Sequence, residues 1–106
     1  MRARAATEER RWVEFAQRER PPGAPGIRER DVPWPALDAA SLGLDVRCFS
    51  AAERRQAYRA ASLRWHPDRF VQGFGNALCD DEREAILQRV TQVSQAVNSL
   101  VQEAPL

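Results

Sequence analysis

The sequence contains no lysine, and histidine and cysteine are scarce. One histidine and two cysteines occur among 106 residues. Cys48 and Cys79 stand alone and far apart, without the spacing of a zinc-binding or redox pair. The sequence therefore indicates neither a disulfide framework nor a zinc site, and we expect a protein that uses no metal and no other cofactor.

Long apolar runs are also absent. No stretch approaches the roughly 20 apolar residues of a membrane-spanning helix, and the first six residues, MRARAA, lack the apolar region of a secretory signal. We therefore expect an intracellular protein, in the cytoplasm or the nucleus, with no membrane partner. A chain of 106 residues is long enough for one small core without disulfide or metal staples.

Charge is nearly balanced overall but unevenly distributed. The 16 basic residues, all arginine, and 15 acidic residues give a net charge of +1, which does not favour a nucleic-acid partner. The stretch from Ser50 to Cys79 contains five arginines and two acidic residues, whereas the stretch from Asp80 onward contains five acidic residues and two arginines. We expect a monomer with a basic central helix and an acidic last helix. The use of arginine for every basic position suits bidentate contacts with carboxylates or phosphates. The many alanines, however, favour a GC-rich gene as the cause of this composition.

The clearest local signal lies between residues 50 and 70. Ser50 and Glu53 have the spacing of a capping box, which predicts a helix that begins at Ala51. Pro67 has no amide hydrogen and disfavours helical geometry at the residue before it, which predicts an end near Trp65. The predicted helix, about 51–65, therefore leads directly into the tripeptide His66-Pro67-Asp68, which we expect to form a turn.

This helix has an apolar side and a basic flank. At 3.6 residues per turn the apolar side contains Ala57, Tyr58, Ala61 and Trp65, while Arg55, Arg59 and Leu63 lie across the flank and back. A second long helix, about 81–102, is predicted by apolar residues spaced alternately four and three apart, namely Ile86, Val90, Val93, Val97 and Leu100. We expect the two helices to pack antiparallel in an all-α fold.

The segments that connect the helices also carry sequence signals. Gly73, Gly75 and Asn76 predict a mobile loop after Phe70. Asp80 or Asp81 should cap the last helix, with Glu84 completing a second capping box. Leu37 to Leu42 could form a short helix that ends at Gly43.

The N-terminal third divides at a segment rich in proline and glycine. Residues 5–19 predict a helix with Trp12 and Phe15 on its apolar strip, and we favour docking of these rings on the adjacent domain over binding to a partner. Prolines keep Asp31 to Pro35 extended, with Trp34 as a buried anchor. The predicted units are an amphipathic helix at 1–20, a linker and extended segment at 21–35, and a helical domain at 36–106.

The run AYRAASLRWHPDRF resembles the second helix and His-Pro-Asp loop of J-domains, the co-chaperone modules that stimulate the ATPase of DnaK-type heat-shock chaperones. Three segments, DVPWP at 31–35, WHPDRF at 65–70 and SQAVN at 94–98, resemble the C-terminal part of the NF-kappa-B inhibitor-like family. Together the resemblance covers most of the chain from Ile27 onward. It departs from J-domains in the reduced first helix and in Ala60, where a basic residue is usual.

The resemblance implies an all-α, J-domain-like helical hairpin that docks on a DnaK-type chaperone. The implied chaperone-binding residues are His66, Pro67, Asp68, Arg55, Arg59, Leu63 and Arg69. Pro67 would fix the turn, and Asp68 would accept hydrogen bonds from an arginine of the partner. The two helical arginines would steer the chain toward an acidic surface.

Three other function classes are weighed against the co-chaperone. An enzyme is not expected, because His66 and Asp68 are not accompanied by a nucleophile or a second titratable cluster. The alternative is a non-catalytic interaction scaffold of the NF-kappa-B inhibitor-like family, with nuclear protein partners in RNA processing or transcriptional regulation. Direct RNA binding would depend only on the arginine-rich N-terminal third and is the weakest of these hypotheses.

Overall fold

The computed structural model describes residues 2–103 and 105–106 as a bundle of helices around an aromatic and aliphatic core. The α-helices are α1 (Arg2–Gln17), α2 (Ala39–Leu42), α3 (Ala51–Arg64), α4 (Pro67–Phe74) and α5 (Arg83–Glu103). Single 3-10 turns lie at Glu29–Asp31, Gly75–Ala77 and Asp80–Glu82. The described part of the chain contains no strand, only an isolated bridge between Ile27 and Leu78, so the all-α prediction is confirmed. None of its helices combines the length and apolar character that crossing a bilayer requires.

The start and end of α3 agree with the sequence prediction. The Ser50 hydroxyl accepts a hydrogen bond from the Glu53 amide at 3.1 Å, and the Glu53 carboxylate accepts one from the Ser50 amide at 2.8 Å. Two amide groups that the first helical turn leaves unpaired are thereby satisfied. The helix ends at Arg64, with Trp65 as its C-cap.

Helix α5 supplies the aliphatic half of the core. Its buried residues are Ile86, Val90, Val93 and Val97, four of the five positions that the spacing predicts, while Leu100 is half-buried. The Tyr58 hydroxyl donates to the Asn98 side chain at 2.9 Å, which places the middle of α3 beside the second half of α5. At the other end of α3, Trp65 stacks on Trp34, which lies beneath Arg89 near the start of α5. The two helices therefore run antiparallel.

The prediction of a capping box at Asp81 and Glu84 is wrong. Residues Asp80–Glu82 form a 3-10 turn that begins after Cys79, and α5 starts only at Arg83. The Glu82 carboxylate draws this turn toward the N-terminal segment, because it accepts from the Glu29 amide at 3.0 Å and pairs with Arg28 at 2.7 Å. The long-range contacts of Glu82 replace the local cap.

The prediction of a loop after Phe70 is also wrong, because residues Pro67–Phe74 form α4. Phe70 and Phe74 lie one helical turn apart, and both pack into the core. A glycine inside a helix costs about 1 kcal/mol relative to alanine. Burial of an aromatic side chain contributes about 1.5–3 kcal/mol, so the two phenylalanines outweigh Gly73.

Helix α1 docks on the core through its aromatic strip. Phe15 is only 3% exposed. Its ring lies 4.9 Å from that of Phe74, and the Trp12 ring lies 5.2 Å from that of Trp65. Docking of Trp12 and Phe15 is therefore confirmed, with α1 beginning at Arg2 and ending at Gln17.

The segment between α1 and α2 packs against the core. Pro21 and Ala24 close a turn in which Gly23 has a φ of 85°, as a type II turn requires. Ile27 and Val32 are buried in the core. The Trp34 indole donates to the Glu29 carbonyl at 2.8 Å, so Trp34 is anchored as predicted, but its ring is half-buried and not fully buried.

The turn at Glu29–Asp31 shortens the predicted extended segment, because Asp31 belongs to this turn and not to the extended stretch. The short helix α2 is confirmed within the predicted range. Asp38 caps it by accepting from the Ser41 amide at 2.8 Å. Gly43 ends it with a φ of 76°.

Replacement of Phe15 tests whether α1 is part of the core. We expect Phe15→Ala to lower the free energy of unfolding by about 3–5 kcal/mol, because it removes a buried ring and leaves a cavity. Val13→Ala, on the exposed side of the same helix, should change it by less than about 0.5 kcal/mol. Urea unfolding followed by tryptophan fluorescence measures both, and equal stability of the two variants would contradict the docked arrangement.

The cap of α3 predicts a pH dependence of stability. Hydrogen bonds from Arg2 and from the Ser50 amide lower the pKa of Glu53 from 4.5 to about 2. A carboxyl group with a lowered pKa stabilises the fold above its unfolded pKa, and this contribution is lost as the pH falls from 4.5 toward 2.

Urea unfolding at a series of acidic pH values should therefore show a shallower loss of stability for Glu53→Gln than for the parent chain. The control is Glu14→Gln, on the exposed face of α1. If Glu53→Gln and the parent chain lose stability equally over this pH range, the assigned role of Glu53 is incorrect.

Candidate protein-docking site

The tripeptide His66-Pro67-Asp68 forms a sharp helix-to-helix junction, which we call the corner. His66 has extended backbone angles, φ −68° and ψ 123°, and is the N-cap of α4. Pro67 is the first residue of α4, where its missing amide hydrogen and fixed φ fit the helix start. The tripeptide is therefore placed at the end of α3 as predicted, but it opens a second helix instead of a loop.

Two aromatic rings hold the corner from behind. Trp65 precedes the cap and Phe70 is the fourth residue of α4, the two positions that pack together in a hydrophobic staple. Their rings are stacked, with centroids 6.2 Å apart and an interplanar angle of 16°. Trp65 is 2% and Phe70 is 1% exposed. The sequence signal for this helix start, WHPDRF, was present, but the glycines that follow obscured it.

Further aromatic contacts fix Trp65. Its ring stacks on Trp34, with centroids 5.5 Å apart and planes 24° apart, and it also contacts Trp12. The guanidinium of Arg64 lies 5.0 Å from the centre of Trp12, and that of Arg89 lies 4.5 Å from the centre of Trp34. Tryptophan faces attract such cations, so an arginine closes each side of the three-tryptophan cluster.

Hydrogen bonding orients the histidine of the corner. The His66 Nδ1 atom accepts from the Asp68 amide at 3.2 Å, which requires that Nδ1 carry no proton. This bond satisfies one of the unpaired amides at the start of α4. Although both side chains are exposed, His66 is held by the cap and cannot act as a freely rotating surface group.

The Asp68 carboxylate is available for an external contact. It is exposed and, among the residues that the structure describes, forms no ion pair or hydrogen bond. As the second residue of α4 it lies at the positive end of the helix dipole, which stabilises its negative charge. Arg69 follows it on the first turn and is also exposed.

A stripe of three exposed side chains on α3 leads to the corner. Arg55, Arg59 and Leu63 are four residues apart in succession, so they lie along one side over about 12 Å. Leu63 is 47% exposed and so adds an apolar contact to this basic side of the helix. Within the described chain neither arginine has an ion-pair partner, whereas Arg64 pairs with Glu9 at 2.8 Å. We call Arg55, Arg59 and Leu63 the α3 stripe.

A groove of about 440 Å³ lies on the other flank of α3, between this helix and α1. Its walls include Trp12, Ala57 and Ala60, and Pro33 and Trp65 form part of its floor. Among the described residues that line the groove, none belongs to the predicted docking set. The described part of the chain also holds no cluster of three or more metal-ligating side chains.

Two substitutions of His66 separate its capping role from any binding role. Asparagine is a strong N-cap residue, so His66→Asn should change the free energy of unfolding by less than about 0.5 kcal/mol, whereas His66→Ala should lower it by about 1 kcal/mol. Thermal and urea unfolding of both variants give these values. An equal loss in the two variants would show that the side-chain acceptor does not support α4.

Comparison with known proteins confirms the resemblance to the NF-kappa-B inhibitor-like family. A family model described as the NF-kappa-B inhibitor-like protein 1 C-terminal domain matches residues 39–105. No solved structure matches the chain. The matched region begins at α2 and includes the α3 stripe, the corner and α5, but not α1. Because the match spans more than half of the 106 residues, the chain belongs to the family of NF-kappa-B inhibitor-like protein 1 C-terminal domains.

Proposed function

We propose that this chain is a non-catalytic co-chaperone that docks on a DnaK-type chaperone and stimulates its ATP hydrolysis. The observation that carries the proposal is the exposed carboxylate of Asp68 at a rigid helical corner, next to a stripe of arginines without described ion-pair partners. The resemblance to the second helix and His-Pro-Asp segment of J-domains names the partner.

The docking surface combines three kinds of contact. Arg55 and Arg59 offer positive charge that speeds encounter with an acidic surface. Leu63 offers apolar area that is removed from water on binding. Asp68 accepts hydrogen bonds from an arginine of the partner, in a charge-assisted pair that can be bidentate. The matching chaperone surface is therefore acidic at one end and carries an arginine at the other.

The rigidity of the corner favours binding. Pro67 fixes one backbone angle, and the stacked Trp65 and Phe70 rings hold the residues on both sides. A segment that is already ordered loses less conformational entropy when a partner captures it. In the resembling J-domains the tripeptide lies on a loop, whereas here the partner would meet the first turn of α4.

The chain contributes binding energy and performs no bond chemistry. A ligand shifts a conformational equilibrium only by the difference in its affinity for the two states. Preferential binding to the ATP-bound state that is poised for hydrolysis would therefore accelerate hydrolysis. Asp68 and the α3 stripe would supply that difference.

Single-turnover ATP hydrolysis by a DnaK-type chaperone tests the proposal. We expect the parent chain to accelerate hydrolysis several-fold and Asp68→Asn to abolish the acceleration, because the neutral amide cannot form the charge-assisted pair. His66→Asn should also lose most of it while remaining folded. Circular dichroism confirms that each variant is folded, and full stimulation by folded Asp68→Asn would refute the proposed contact.

The arginines have a matched control. The double variant Arg55→Ala with Arg59→Ala should weaken stimulation about tenfold at low salt. Arg10→Ala with Arg18→Ala removes the same charge from another exposed part of the chain and should have little effect. Equal losses in the two double variants would mean that net charge, and not the α3 stripe, governs binding.

A second candidate function is a protein-interaction scaffold in a nuclear assembly, concerned with RNA processing or transcriptional regulation. The family match favours it, because the matched region covers α2 to α5 and membership of this family does not by itself imply a chaperone contact. A protein partner that binds Asp68→Asn and the parent chain equally, in a system where the parent chain does not stimulate any chaperone, would support the scaffold.

A further inference from the structure

We propose that Trp12, on a helix that precedes the family-matched region, is a positioning residue for the corner. The matched region starts at residue 39, whereas Trp12 belongs to α1. Its ring lies 5.2 Å from that of Trp65, the residue immediately before His66. The orientation of the candidate docking site therefore depends on a side chain outside the domain that carries the site.

Buried neighbouring side chains set the orientation of the exposed groups at the corner. His66 and Asp68 are exposed, while Trp65 and Phe70 on either side are almost fully buried. The Phe70 amide donates to the His66 carbonyl at 2.9 Å, so a displacement of the staple also displaces the cap. Rotation of the Trp65 ring would thus change the direction in which the Asp68 carboxylate points.

Trp12 is one of two rings from outside the matched region that pack against Trp65, the other being Trp34. Trp34 and Phe70 occupy two other positions around the ring. Trp12 also contacts Phe15 and Phe74, with centroids 5.5 Å and 5.7 Å away, so one indole ties α1 to both helices that meet at the corner. Loss of this ring would remove one of the three aromatic contacts that hold Trp65 in its orientation.

Helix α1 is held on the core mainly through its aromatic strip. Apart from its aromatic strip, α1 is joined to α3 by the ion pairs of Arg2 with Glu53 and of Glu9 with Arg64. Exposed ion pairs contribute about 0–1 kcal/mol each, and salt weakens them. The aromatic strip therefore carries most of the attachment of α1, and the contact between Trp12 and Trp65 is part of it.

The single histidine of the chain makes the corner directly observable. In the full-length parent chain, nitrogen NMR of the imidazole should show a hydrogen-bonded Nδ1. In Trp12→Ala we expect loss of that signature and an increase of about tenfold in hydrogen exchange of the Phe70 amide. Trp12→Phe, which keeps a ring against Trp65, should restore both, and Val13→Ala on the exposed side of α1 should alter neither.

The amides of Val90 and Val93 in α5 report whether a variant is folded. If they lose protection in Trp12→Ala, Trp12→Leu is used instead, because leucine keeps apolar bulk at α1 but removes the ring. Unchanged imidazole and Phe70 signals in the folded variant would overturn the inference. Altered signals that Trp12→Phe does not restore would also overturn it, since they would reflect general loosening.

The expected effect of Trp12 on chaperone stimulation rests on the proposed function, whereas its expected effect on the structure of the corner does not. In the ATP hydrolysis assay we expect Trp12→Ala to reduce stimulation about tenfold and Trp12→Phe to recover it. Failure of the parent chain to stimulate would contradict the proposed function alone, with the NMR comparison still deciding the positioning role. Undiminished stimulation by a variant whose corner is altered would contradict the link between them.

Discussion

The contact of Trp65 with its aromatic neighbours is the constraint on which the rest of the structure depends. Trp65 ends α3, opens the staple that starts α4, and receives rings from α1 and from the segment at Trp34. Each of these elements alone buries little apolar surface. Around one indole they form a shared core, against which the aliphatic face of α5 packs.

This arrangement explains why the candidate docking site is both exposed and ordered. The buried rings lie on one side of the corner, and the polar groups of His66 and Asp68 lie on the other. Along α3 the same division separates Ala61 and Trp65 in the core from the α3 stripe on the surface. A partner would therefore meet a preformed surface, with the cost of ordering it already met during folding.

Local signals predicted much of this fold, and long-range contacts decided the rest. The Ser50–Glu53 capping box, the glycine end of α2 and the buried face of α5 were readable because each depends on residues a few positions apart. Helix α4 was missed because Gly73 and the Gly75-Asn76 pair after it outweighed the Phe70 and Phe74 spacing when core burial was unknown. The start of α5 was misplaced because Glu82 binds residues more than 50 positions away. The candidate site residues were identified by resemblance, and only the structure shows that the tripeptide begins a helix.

The most direct test of this account is an NMR titration of the isotope-labelled full chain with an ATP-bound DnaK-type chaperone. The account predicts that signals of Arg55, Arg59, Leu63 and Asp68 shift or broaden first, at chaperone concentrations that leave the exposed face of α1 and the outer face of α5 unaffected. Changes confined to α1 or α5, or none at saturating chaperone, would contradict the assignment of the corner and the α3 stripe as the docking site.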